Sequence, residues 1–100
     1  MSQPPPETNE QFFNRADAYI NLANQQSQGT DPGRVGASMA FAAARFSAWL
    51  AANRFQSADR MRAGKAEAMK HFVDQFQQML DDNIEDHIRQ LEQMAKNQQK

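Results

Sequence analysis

No cysteine occurs in this chain, so it holds no disulfide framework, no zinc-thiolate site and no thiol nucleophile. Redox chemistry therefore sets no limit on its compartment. Residues that favour strands are nearly as scarce, with two Val, three Ile and two Thr in 100 residues. An excess of charge is missing too: the formal net charge is -1 and the pI about 6.1, which gives no global electrostatic case for nucleic acid or an anionic membrane. The opening "MSQPPPETNE" lacks the basic and apolar regions of a secretory signal, and a cytoplasmic location is the expectation.

What the chain has instead is alanine, sixteen of its 40 hydrophobic residues, accompanied by Gln, Met, Leu, Arg and Lys. These are helix formers. One domain of this size buries only roughly two-thirds of the surface its unfolded chain exposes, so a thin core is expected.

Residues 1–7 read as a disordered Pro-rich lead-in and 96–100 as a loose tail, around a helical domain over 8–95. Thr8 followed by Gln11 fits a capping box, which starts a first helix over about 9–27. Phe12, Phe13, Ala16, Tyr19, Ile20 and Ala23 form its apolar stripe, and Gly29 offers the stop. Asp31 as cap and Pro32 at the first helical position begin a second helix over about 32–54. The stretch "QSADRMRAGK" reads as a loop with a frayed start, because Gly64 weakens a helix. A third and longest helix follows over about 65–95, with Met69, Phe72, Val73, Phe76, Leu80, Ile84, Ile88 and Leu91 as its stripe. Three helices on short connections predict an all-α, three-helix antiparallel bundle with a long C-terminal helix.

The second helix, "GASMAFAAARFSAWLAANRF", is long enough on paper to span a bilayer. Arg45 near its middle and Arg54 near its end argue against that, at roughly 2.5 to 3.5 kcal/mol for an arginine at a helix centre. Its faces separate at about 100° per residue. Val35, Met39, Phe46, Trp49 and Leu50 supply bulk on one side. Gly36, Ala40, Ala44, Ser47 and Ala51 form a strip of small residues that suits the third helix. Arg34, Arg45 and Ala52 occupy the third side, flanked by Phe41 and Phe55. A helix apolar nearly all round needs cover all round, from the first helix or the termini or from a second subunit, and so small a core gains from assembly. Phe41, Arg45 and Phe55 are therefore the candidate partner interface, with Phe41 and Arg45 at a spacing that allows stacking.

"FFNRADAYINLANQQ", "VGASMAFAAARFSAWLAA" and "HFVDQFQQMLDDNIEDHI" together resemble a family of small proteobacterial proteins known only as a domain of unknown function. The resemblance covers about Phe12 to Ile88, and "AAARFSAW" is its most distinctive element. It implies a small helical cytoplasmic protein and carries no catalytic residue with it.

Chemistry-bearing clusters are few. The block "DDNIEDH", Asp81 to His87, places carboxylates at i,i+4, yet the first two helices bring no Glu-x-x-His partners for a di-iron site. It reads as a solvated or partner-facing acidic face. His71 and His87 lie sixteen residues apart on one helix, about 24 Å by helical rise, and cannot share an ion within a chain. "RMRAGKA" lacks the glycine and hydroxyl spacing of a phosphate loop. Charge is unevenly spread: Arg54 to Lys70 carries +3 and Asp74 to Glu92 carries -5. The opposite ends suit pairing within a bundle or head-to-tail between subunits, setting orientation more than affinity.

The sequence thus points to a self-associating structural or protein-interaction module with no catalysis, no cofactor and no metal. A homo-oligomer is the expected assembly and another protein the second candidate partner; no membrane is expected. Binding of nucleic acid or an anionic ligand through Arg54 to Lys70 is the alternative, weakened by the lack of interleaved exposed aromatics.

Overall fold

The computed structural model describes residues 5–98. Its fold class is all-α, with three helices, α1 (Asn9–Gln26), α2 (Pro32–Phe55) and the long C-terminal α3 (Ala58–Gln98), and no strand among the described residues. Residues 5–8 are not helical; positions 1–4 of the expected lead-in and 99–100 of the expected tail lie outside the described residues.

Each helix start has a local chemical cause. The capping box at α1 forms as its residues require: the Thr8 N–H donates to Gln11 Oε1 at 3.0 Å, and the Gln11 N–H donates to Thr8 Oγ1 at 3.1 Å. At α2 the Asp31 carbonyl accepts from the N–H groups of Arg34 and Val35 at 3.0 and 3.3 Å. Pro32 takes the first position, where it has no N–H to lose. At α3 Ser57 caps, its Oγ accepting the Arg60 N–H at 3.2 Å.

The residue that stops α1 and the start of α3 differ from the reading of the sequence. α1 stops at Gln26 with Ser27 as its C-cap, the Ser27 hydroxyl donating to the Ala23 carbonyl at 2.8 Å. Gly29 follows in an ordinary turn, and no glycine among the described residues has a positive φ. The left-handed residue is Gln56 (φ 66°), whose N–H reaches the Ala52 carbonyl at 2.9 Å and closes α2. Because Gln56 and Ser57 make the whole reversal, α3 begins at Ala58 and not near Lys65. Gly64 sits inside it.

The chain forms two compact units that divide within α2, between Phe46 and Ser47. In the first unit, the covered residues of α1 and its C-cap are Ala16, Ala23 and Ser27, one narrow line of small side chains at helical spacing. Val35 on α2 is the one buried residue, at 6% exposure, among the described residues. The aromatic stripe expected to face inward stays out: Phe12, Phe13, Tyr19 and Ile20 are all about half exposed or more.

The second unit repeats the pattern. Ala51 and Phe55 of α2 are half-buried, as are Met61, Gly64, Ala68 and Phe72 of α3, again one line at three- and four-residue steps. The ring of Phe55 lies on the backbone of Gly64. A Cβ there would sit 2.4 Å from Phe55 Cζ and 2.5 Å from Cε1. Glycine is tolerated inside α3 because the ring occupies the space its missing side chain leaves.

Candidate interaction surfaces

The two hairpins close mainly on alanine, glycine and serine and leave most of their bulk outside. On α1 the exposed Phe12 and Phe13 rings meet edge to face at 5.2 Å. The Glu7 carboxylate accepts a hydrogen bond from the Arg15 guanidinium, and that contact with its charge raises the arginine's already high pKa. This pair fastens the lead-in to the helix and offers no chemistry near neutral pH.

On α2 the guanidinium of Arg45 stands 4.9 Å over the Phe41 ring, the stacking their spacing allows. Phe41 is 63% exposed. Phe55, the third residue of the candidate interface, is placed elsewhere: its ring is against Gly64 of its own chain. The small-residue strip is used unevenly. Ala51 meets α3, whereas a Cβ added at Gly36 would touch nothing within 4 Å.

On α3 the predicted stripe is in place and largely uncovered. Val73, Phe76, Leu80, Ile84, Ile88 and Leu91 are each 40–63% exposed. Only Phe72 of the eight stripe residues is half-buried.

An open groove of about 350 Å³ between the C-terminal half of α2 and α3 is lined by Leu50, Arg54 and Phe55 on one side and Glu67, His71 and Phe72 on the other. No hydrogen bond joins Arg54, Glu67 and His71. His71 instead meets the edge of Phe72 at 5.4 Å. Within the acidic block, Asp82 accepts from Gln78 and Asp86 pairs with Arg89 one turn on. Among the described residues no three His, Asp or Glu side chains gather as a metal site would require. In the basic stretch, Arg62 pairs with Asp59 at 3.0 Å and Lys70 with Asp74 at 2.5 Å. Two of its five cations are thus already partnered within the helix.

α2 is by length and composition the one described helix apolar enough to cross a membrane, with a mean hydropathy of 1.2 over its best window. The same window is only 11% buried, so it is not a core helix sheltered by its neighbours.

Residues 12–88 match the family model described as a protein of unknown function (DUF3144). The chain belongs to that family. The matched span takes in α1 from Phe12, all of α2, and α3 as far as Ile88, with both small-residue seams and the exposed stripe of α3 up to that point. No curated protein and no solved structure matches the chain.

Proposed function

We propose that this DUF3144 chain is a self-associating structural or protein-interaction module without catalysis of its own. The observation that carries the reading is the inversion of size between inside and outside. Large apolar side chains on all three helices stand exposed, while the covered seams consist mainly of Ala, Gly and Ser. A monomer so built gains little from burial, since stabilisation scales with apolar area taken out of water. Docking a second chain on those faces supplies the missing area, and folding is then coupled to association. Phe41 with its stacked Arg45 is one such contact, a flat aromatic and guanidinium surface of the kind enriched at interfaces.

A second reading rests on the length and composition of α2, which suit a bilayer span. Arg45 near the middle of α2 stands against it, at roughly 2.5 to 3.5 kcal/mol for a buried arginine at that depth. Protein is the cover we favour.

Thermal unfolding followed by circular dichroism over a hundredfold range of protein concentration tests the reading. Association coupled to folding makes the midpoint rise with concentration. A midpoint that stays fixed, with full helicity at the lowest concentration, would show a chain stable alone.

A further inference from the structure

We propose that α3 pairs side by side and antiparallel with α3 of a second copy, about a two-fold axis near Phe76, which gives the self-association proposed above, on which it rests, a definite geometry.

Length is the first ground. α3 has 41 residues and is about 61 Å long, whereas the 24 residues of α2 span about 36 Å. Even laid full-length along α3 from the two-residue turn at Gln56 and Ser57, α2 leaves about 25 Å of α3 beyond its reach. That overhang, from about Asp82 onward, carries Ile84, Ile88 and Leu91, all exposed. α1 is engaged in the other compact unit with the first half of α2.

Area is the second. The six exposed stripe residues from Val73 to Leu91 offer on the order of 600 Å² at their observed exposures, and flanking side-chain stems bring this toward the roughly 800 Å² per partner of a standard interface. Their steps of three, four, four, four and three average 3.6 residues, so the stripe runs straight along the helix and suits two helices meeting over a few turns without a long supercoil.

Charge fixes the direction. Within α3, residues 58–70 carry +2 and 74–92 carry -5. Parallel helices would set each half against its like; antiparallel helices set it against its opposite. Placing the basic half on the acidic half brings Lys70 level with Asp81 of the second copy on one flank of the stripe. That pairing puts the axis at or beside Phe76. Glu67 and Glu85 are level in the same register, but they lie about 130° round the helix from the stripe and do not face each other.

The absence of cysteine makes the test direct, because a single introduced thiol can carry a spin label. Electron-electron dipolar distances would be measured on the full chain as Gln77→Cys and, separately, Gln90→Cys. Antiparallel pairing predicts a short distance for Gln77, next to the axis, and about 40 Å for Gln90, fourteen residues from it. Short distances at both positions would mean parallel helices, and long distances at both would mean that α3 is not the contact; either overturns the geometry while leaving self-association standing. No intermolecular distance, with a monomer by sedimentation, would sink both. Charge reversal gives an independent check. Lys70→Glu should weaken the dimer roughly five- to tenfold, and adding Asp81→Lys should restore it, since both are exposed charges on the rim of the stripe. Unchanged affinity in the single variant, or no restoration in the double, would overturn the pairing.

Discussion

Replacing Gly64 by alanine sets two effects of opposite sign against each other, and the position of the Phe55 ring decides which prevails. Gly to Ala in a helix interior is worth about 0.8 to 1.0 kcal/mol on propensity alone. Here the new methyl would lie 2.4 and 2.5 Å from two ring atoms of Phe55, where ordinary contact begins at 3.4 Å. The ring must retreat by about 1 Å, and overpacking of this kind costs about 1 to 3 kcal/mol. Taking the middle of that range, Gly64→Ala should destabilise by about 1 kcal/mol, lowering the melting midpoint by about 4 to 8 °C in a domain of this size. With Phe55→Ala as background the clash disappears and the same substitution should stabilise by about 1 kcal/mol. The two sites are therefore coupled by about 2 kcal/mol in a double-mutant cycle. Melts at one fixed protein concentration supply the four numbers and keep any shift in association from entering the comparison. A Gly64→Ala variant that is stabilised equally in both backgrounds would refute the contact and with it the closure of α2 on α3.

Three other substitutions probe separate parts of the chain. Gln56→Gly should raise stability by about 0.5 to 1 kcal/mol, because glycine relieves the left-handed strain at φ 66° at some cost in unfolded-state entropy; chemical denaturation that shows a loss would contradict the turn. Thr8→Ala should cost about 1 kcal/mol and fray the start of α1, which amide exchange at Gln11 reports directly. Phe41→Ser, at a side chain 63% exposed, should leave the helical circular dichroism spectrum intact and lower the average mass in solution. An undiminished assembly would remove Phe41 from the contact surface.

How far the sequence reveals this molecule depends on the range of the interaction involved. The Thr8–Gln11 capping box was legible, because it acts within one turn, and so was the start of α2 at Pro32. The Phe41–Arg45 stacking was legible for the same reason, being an i,i+4 pair on one helix. The start of α3 was not, because Gly64 reads as a helix breaker until the ring that fills its place is known, and Phe55 comes from a different helix. Nor does sequence distinguish a non-glycine left-handed cap at Gln56 from the expected loop. The stripes on α1 and α3 were found at their right spacing, but periodicity says only that a face is apolar. Whether Ala16 and Ala23 or Phe12 and Phe13 turn toward α2 is decided by how closely two backbones approach, and small residues allow the closer approach. Phe55 shows the same limit within the candidate site, since helical position alone placed it with Phe41 and Arg45 while contact with Gly64 drew it to α3.

The chain closes its hairpins mainly on small residues and leaves most of its large ones outside, and copies of itself are the cover we propose. Sedimentation equilibrium of the wild-type chain, run from low to high micromolar concentration at low salt, weighs that cover directly. The expected result is a mass that reaches at least twice 11.4 kDa and falls back on dilution or added salt. A mass of 11.4 kDa at every concentration, with the helices fully formed, would contradict it.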